Sequence, residues 1–269
     1  MSLIEAIILG ILQGLTEFLP VSSSGHLVLG QELLDIHIEG IAFEVFVHFG
    51  TLLSVLVIYR RDLLAMLTSL PRFAGNTGRI RQFYSEDRDF RWLLYIIIGS
   101  IPAGVIGLGM GAAIETAFND AHTVAWMLMV TGTMLLLTRF GKSAQQDMSL
   151  LVAVLVGVAQ ALAIMPGISR SGATISVALF LGIARDESAR FSFLLAIPVI
   201  LGATLLKLIE LLQDLPQASQ LLNLFAGTLV AFITGYIAIK LLLMFIRRGK
   251  LDYFAWYCYG VGVLGLSLL

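Results

Sequence analysis

Glu17-Phe-Leu-Pro-Val-Ser-Ser-Ser-Gly-His26 and Pro166-Gly-Ile-Ser-Arg-Ser-Gly172 interrupt two otherwise apolar regions, residues 1–34 and 148–184. Each region reads as two short helices joined by a polar turn, because proline lacks a backbone donor and glycine and serine favour turns. A gap-free shift of 147 residues lays residues 10–27 over 157–174. Six pairs are then identical: Gly10/Gly157, Gln13/Gln160, Leu15/Leu162, Ser22/Ser169, Ser24/Ser171 and Gly25/Gly172. A single leucine match among them means that shared hydrophobic composition does not explain the alignment, so the chain carries an internal repeat.

The surroundings of the two turns are those of a membrane protein. Of the 269 residues, 58% are hydrophobic and 13% charged, against roughly 25% charged in an average soluble domain. That composition excludes an ordinary soluble domain and a disordered chain. With 17 Lys and Arg against 18 Asp and Glu, there is no basic excess to neutralise a nucleic acid. The one cysteine, Cys258, excludes an internal disulfide, a Cys-rich zinc site and an iron–sulfur cluster. No Lys or Arg precedes Arg60, so the N-terminus lacks the basic start of a signal peptide.

A spanning helix takes about 20 apolar residues, with a range near 17–25. The stretches between charges predict spans at 41–59, 92–114, 121–138, 191–206, 221–246 and 253–269. The span at 191–206 is a residue short of that range and relies on Lys207 reaching back to the interface. Fourteen of the 17 Lys and Arg fall in four loops: 60–91, Arg139 with Lys142, Arg185 with Arg190, and Arg247-Arg248 with Lys250. The run 79–91 mixes both signs and reads as a solvated loop. The intervening loops hold Glu32, Asp35 and Glu39, then Glu115 and Asp120, then Lys207, Glu210 and Asp214. Basic loops inside and acidic loops outside make the first interrupted region enter and leave on the outer face, and the second on the inner face. Two pairs of complete short spans are the other arrangement; segments as short as 175–184 speak against it. The expected fold is therefore all-α: one membrane domain, residues 1–269, with six transmembrane helices and two re-entrant hairpins. These form an inverted-topology repeat, one copy about 1–140 and the other about 148–269. Non-helical backbone at membrane depth is tolerated only where protein or a wet cavity satisfies it, so the two turns are expected to meet and build one polar site.

The first turn offers Gln13, Glu17, Ser22, Ser23, Ser24 and His26; the second offers Gln160, Ser169, Arg170, Ser171, Gly172 and Thr174. Gln13 and Glu17 are four residues apart and share a helix face. Arg170 stands opposite Ser23 in the repeat, so one copy brings a carboxylate, hydroxyls and an imidazole, and the other a permanent cation. Arg170 among small and hydroxyl residues at a helix start makes a phosphate cradle. Ser23, three residues before His26, resembles a nucleophile and its proton partner. Glu17 could hold a divalent cation or orient the imidazole. The blander readings are that the serines only form turns and that Arg170 and Glu17 make a buried bridge. Glu44 and His48, four apart on one span, read as a polar pair supporting the site. His37 and His122 fall near span ends, Arg190 holds the inner end of its helix, and Trp92, Trp126 and Trp256 suit interfacial or packed positions.

At Gln13-Gly-Leu-Thr-Glu-Phe-Leu-Pro-Val-Ser-Ser-Ser-Gly-His26 and Pro166-Gly-Ile-Ser-Arg-Ser-Gly-Ala-Thr174 the chain resembles the undecaprenyl-diphosphate phosphatase family, also called bacitracin-resistance proteins. The likeness extends through Phe43-Glu-Val-Phe46 and Arg190-Phe-Ser-Phe-Leu-Leu-Ala-Ile-Pro198. The resemblance implies hydrolysis of undecaprenyl diphosphate to undecaprenyl phosphate and inorganic phosphate in the bacterial plasma membrane, recycling the lipid carrier of cell-wall synthesis. It implies a site open to the outer face, with catalytic positions at Glu17, Ser23, His26 and Arg170. Gln13 takes the first position of a Glu/Gln-x-x-x-Glu motif. Where Glu is common there, Gln13 leaves one carboxylate fewer for the divalent cation, magnesium or calcium, that the family requires; Glu17 is its implied contact. Gln13, Ser22, Ser24, Gln160, Ser169, Ser171, Gly172 and Thr174 are the implied substrate contacts. Ser23 attacking phosphorus with His26 as proton partner is one mechanism; His26 as nucleophile, or as activator of water, is another. Membrane lipids surround the chain, and the reading leaves room for a homodimer. A lipid-phosphate transporter or flippase is the alternative, because inverted repeats with broken helices are a transporter signature.

Overall fold

The computed structural model describes residues 1–34, 42–74, 80–110, 116–118, 120–141, 146–212 and 220–268. Asp35, His37, Glu39, Ile41, Arg79, Glu115, Lys142, Asp214 and Leu269 lie outside them. The helices that frame the site are α1 (Leu3–Phe18), α2 (Ser23–Leu34), α3 (Ala42–Ile58), α4 (Arg60–Ala74), α5 (Ile80–Glu86) and α6 (Arg88–Gly109). They continue with α7 (Ala121–Leu137), α8 (Leu150–Leu162), α9 (Arg170–Phe180), α10 (Arg185–Leu211), α11 (Leu221–Arg247) and α12 (Asp252–Leu268). Among the described residues there is no β-strand, and a lone bridge joins Gln146 to Ile183.

Both interrupted regions break where the sequence predicts, between α1 and α2 and between α8 and α9. Two expectations are corrected. The span expected at 191–206 lies inside the 27-residue α10, so it is not short; Arg185 and Arg190 belong to its first turns. The expected solvated loop at 79–91 is largely helical, as α5 and the start of α6. There the Asp87 carboxylate accepts the Phe90 N–H at 2.9 Å and caps α6, while Phe73, Phe83 and Phe90 pack ring against ring, 4.6–5.7 Å between centroids.

Ion pairs gather the basic loops at one end of the molecule. Arg88 meets Glu187 at 2.8 Å, Arg247 meets Asp186 at 2.9 Å, and Arg190 pairs with Asp62 and Arg139 with Asp252. Lys207 pairs with Glu44, and Asn223 Nδ2 donates to the Met1 carbonyl at 2.9 Å, which places the start of α1 beside the start of α11. The start of α8 is elsewhere: Gln146, Asp147 and Met148 line a cavity with Arg88, Arg91 and Glu187, at the basic end. Large apolar side chains face outward, Leu108 at 74%, Leu151 at 68% and Leu222 at 66% exposure, as lipid contact demands. Among the described residues α6, α7 with its following turn, α10 and α11 are long and apolar enough to cross a membrane; α3 and α4, bent by 76°, make a fifth candidate. The chain is a multi-pass membrane protein.

Backbones cross at glycines, in matching pairs. α1 packs on α11 and α8 on α6. A Cβ on Gly10 would stand 2.7 Å from the Gly227 carbonyl, and one on Gly157 2.1 Å from the Gly99 carbonyl. α7 crosses α12 reciprocally: a Cβ on Gly132 would meet the Ala255 carbonyl at 3.0 Å, and one on Gly262 the Ala125 carbonyl at 2.9 Å. With no apolar driving force between helices in lipid, such close approach is what holds them together. Gly157→Ala should therefore lower the melting temperature in detergent, by the roughly 1–3 kcal/mol of an overpacked contact. Gly202→Ala, in α10 with nothing within 4 Å of its added carbon, should leave it unchanged or raise it by about 0.5–1 kcal/mol. Equal melting temperatures for the two variants would refute the crossing as a determinant of stability.

Candidate active site

The turns that start α2 and α9 are built alike. Ser22 Oγ accepts the Gly25 N–H at 3.2 Å, and Ser169 Oγ accepts the Gly172 N–H at 3.1 Å. Each capping hydroxyl also lies 3.2 Å from that of the next serine but one, Ser24 and Ser171. The caps leave the first N–H groups of both helices, on Ser23 and Ser24 and on Arg170 and Ser171, without an acceptor among the described residues. Two helix N-termini with open donors form an anion site. The copies differ in strain: Ser22 has φ +68, in the left-handed region, whereas Ser169 has φ −73.

The turns touch. A Cβ on Gly25 would lie 3.3 Å from Gly167 Cα, and one on Gly172 lies 3.3 Å from Pro20 Cβ; these are equivalent pairs under the 147-residue shift. Two further residues hold them, and sequence reasoning missed both. Buried Thr131 of α7 donates to the Gly167 carbonyl and accepts the Ser169 N–H, each at 2.9 Å. Cys258 of α12 approaches the Pro20 carbonyl at 3.6 Å. The available signal was a polar residue inside an apolar span, where an unpaired hydroxyl would be costly.

Glu17, at the end of α1, joins the two turns. Its Oε2 accepts from Ser23 Oγ at 2.7 Å and from Gln13 Nε2 at 2.9 Å. Its Oε1 accepts from Arg170 Nη2, an ion pair with side-chain exposures of 6% and 17%. Charge and hydrogen bonds together can offset the desolvation of both groups. Ser23 thus rests on Glu17 rather than on His26. The His26 Nδ1 lies 2.8 Å from the Ser22 carbonyl and Nε2 2.8 Å from the Tyr257 hydroxyl. A carbonyl only accepts, so Nδ1 carries the proton and Nε2 offers its lone pair to Tyr257. Tyr257, on α12 with its ring parallel to the imidazole, is a third residue that no motif announced.

The remaining candidates divide. Gln13 Oε1 and both amide atoms of Gln160 are buried without a partner among the described residues, a cost of roughly 1–3 kcal/mol per group that a ligand would relieve. Ser171 Oγ donates to the Leu19 carbonyl at 3.3 Å. Thr174 spends its hydroxyl on the Arg170 carbonyl at 2.8 Å and on Ser192 at 2.5 Å, so it braces α9 against α10. His48 donates from Nδ1 to the Glu44 carbonyl at 2.8 Å, while Glu44 pairs with Lys207. Arg190 lies over the Trp92 ring at 4.9 Å and pairs with Asp62, holding the basic end of its helix.

A resident divalent cation does not fit these donors. Glu17 is the single carboxylate of the site, Arg170, Ser23 and Gln13 take both its oxygens, and the described residues hold no group of three His, Cys, Asp or Glu able to bind a metal.

The chain is similar to known proteins along nearly its whole length. Residues 6–264 match the profile of the bacitracin resistance protein BacA. An undecaprenyl-diphosphatase of Salinibacter ruber is 45% identical over 267 residues, 98% of each chain. One from Desulforapulum autotrophicum is 43% identical, covering 99% of this chain and 98% of its own, and one from Korarchaeum cryptofilum 44%, covering all of both.

Removing one partner of a buried ion pair strands the other, at roughly 3–5 kcal/mol. Arg170→Ala and Glu17→Ala should each destabilise the protein in detergent by about that much, and the double variant by clearly less than their sum. An additive double-mutant cycle in thermal or denaturant unfolding would show that the pair does not hold the turns together.

Proposed function

The chain belongs to the bacitracin resistance protein family, and on that premise we propose how it acts. It is an undecaprenyl-diphosphatase, which splits undecaprenyl diphosphate into undecaprenyl phosphate and inorganic phosphate, returning the lipid carrier to cell-wall synthesis. One observation carries the mechanism: the Ser23 hydroxyl and the Arg170 guanidinium share the Glu17 carboxylate, between two helix ends with open N–H groups.

The diphosphate lies across those ends. Arg170 and the N–H groups of Ser23, Ser24, Arg170 and Ser171 take its oxygens, and Gln13 and Gln160 offer the amide atoms that burial leaves unpaired. Ser23 Oγ attacks the terminal phosphorus and passes its proton to Glu17. The Oγ–P bond forms as the bridging P–O bond breaks, and undecaprenyl phosphate departs. Such displacements need positioning and charge neutralisation more than a strong base, which suits a carboxylate already engaged with Arg170. Water then attacks the phosphoserine, giving up its proton to His26 Nε2 once the Tyr257 hydroxyl has moved aside. The O–P bond to water replaces that to Ser23, whose oxygen takes back the proton held by Glu17, and phosphate leaves. The divalent cation, magnesium or calcium, enters this reading as the counterion of the diphosphate rather than as an ion held by the chain. A carrier would need Arg170 but has no use for Ser23 on a carboxylate, so the transporter reading is not favoured.

The same reading sets the site in the plasma membrane. α1–α2 and α8–α9 are re-entrant hairpins dipping from opposite faces, six other segments cross, and residues 1–140 and 148–269 are the inverted repeats. The acidic end faces outward, with the site open to it, and the prenyl chain lies along the apolar helix surfaces.

Purified protein in detergent should release phosphate from undecaprenyl diphosphate with magnesium. Arg170→Ala and Ser23→Ala should each reduce kcat by about 10²-fold or more, the scale of losing one transition-state donor. Release by Ser23→Ala at the wild-type rate would remove Ser23 as nucleophile; no release by folded wild type, with headgroup binding intact, would replace hydrolysis by transport. Tyr257→Phe keeps the ring and loses the donor to His26 Nε2. It should shift the pH profile of kcat while leaving KM within about twofold, since the change touches proton transfer and not binding. An unchanged profile would separate Tyr257 from the chemistry.

A further inference from the structure

We propose that the chain binds the headgroup of an anionic phospholipid in a second site, at the basic end, apart from the hydrolytic centre. A cavity of about 690 Å³ opens there between the ends of α7, α9, α10, α11 and α12, within the roughly 300–1,000 Å³ of small-ligand sites. Arg139, Arg185 and Arg247 line it beside an apolar wall that includes Leu179 and Ile246. Two of the three arginines are balanced: Arg139 by Asp252, and Arg247 by Asp186. Arg185 has no ion pair or hydrogen bond among the described residues.

Arg185 is exposed, and its side chain reaches over Gly249. Its guanidinium lies against Gly249, where an added Cβ would stand 2.6 Å from Nη1 and 2.8 Å from both Cζ and Nη2. Gly249 has φ +67, so glycine serves both the turn and the close approach of the cation. The same residue opens α10, whose N-cap, Ala184, provides no side-chain cap; the two acids of that first turn, Asp186 and Glu187, are paired with Arg247 and Arg88, so neither balances Arg185. Among the described residues the site therefore carries an unbalanced planar cation beside apolar surface, at the level of the other basic loops. Basic pockets between membrane helices on such a face bind anionic lipid headgroups, and Arg suits a phosphodiester through its paired donors. From Arg170 to Leu179, α9 runs nine residues, about 14 Å at 1.5 Å each, which separates this cavity from the hydrolytic centre.

Native mass spectrometry of the full chain in detergent, with phosphatidylglycerol or phosphatidylcholine added, tests the site. Wild type should retain one phosphatidylglycerol in preference to phosphatidylcholine. Arg185→Gln should lower that preference about fivefold, the worth of one cation near an anionic surface. Arg185→Lys should restore part of it, and phosphate release from undecaprenyl diphosphate should stay at the wild-type rate in both. Gly249→Leu, which displaces the guanidinium while keeping every charge, should reproduce the loss and guards against a pure charge effect. Equal retention of both lipids by wild type, or full preference in Arg185→Gln, overturns the proposal. Displacement of the lipid by millimolar inorganic phosphate would assign the cavity to free phosphate and overturn it as a lipid site.

Discussion

A carboxylate from one half of the chain and a guanidinium from the other, 153 residues apart, meet in the interior of a molecule whose exterior is apolar. Neither charge is tolerable there alone, and each is tolerable because the other is present. The turns that bear them depend on this meeting. A broken helix inside a membrane protein exposes backbone donors that lipid cannot satisfy, so each turn has to find its partners within the chain. Ser22 and Ser169 take one donor each, Thr131 serves the second turn on two sides, and Cys258 closes on the first. What these partners leave open, the first N–H groups of α2 and α9, is what an anion can use.

The proposed repeat accounts for Ser23 facing Arg170. Under it the Gly25/Gly167 and Gly172/Pro20 contacts are the same contact made twice, once from each copy, and equivalent positions between them come close together. Ser23 and Arg170 are equivalent positions, and both lie against Glu17. Identical residues there would give two nucleophiles with no cation, or two cations with one carboxylate between them. A single divergence at one equivalent position therefore turns a symmetric turn pair into an asymmetric site, while the capping serines on either side stay alike.

Much of this was legible in the sequence, for local reasons. Proline, glycine and serine punctuate helices through their own backbone chemistry, so both breaks were readable to within about four residues. Charged residues in apolar stretches demand partners, so Glu17 and Arg170 each stood out, though their pairing was only the blander of the readings. The rest depended on tertiary packing. The length of α10 was hidden because Arg185–Arg190 looks like loop composition, whereas ion pairs of Arg190, Glu187 and Asp186 with Asp62, Arg88 and Arg247 make it a helix end. α5 was hidden because the aromatic cluster supporting it draws Phe73 and Phe90 from its neighbours. Sequence spacing put Ser23 near His26, but a helix carries their side chains to different partners, Glu17 for one and Tyr257 for the other. Tyr257 itself lies 231 residues from His26, in a stretch where a tyrosine reads as an interfacial anchor.

The charge balance of the site argues for what the substrate must bring. Glu17 cancels Arg170, and Gln13, four residues before it, adds a neutral amide where a carboxylate would have added repulsion. The two open helix ends contribute about half a positive charge each. That is enough to orient a diphosphate and too little to neutralise one, which is why the proposed reading brings the cation in with the substrate. The imbalance also favours turnover. A site that fully compensated the diphosphate would hold the released phosphate as well, whereas one that supplies part of the charge binds the transferring group most strongly where the donors converge and lets the smaller product go.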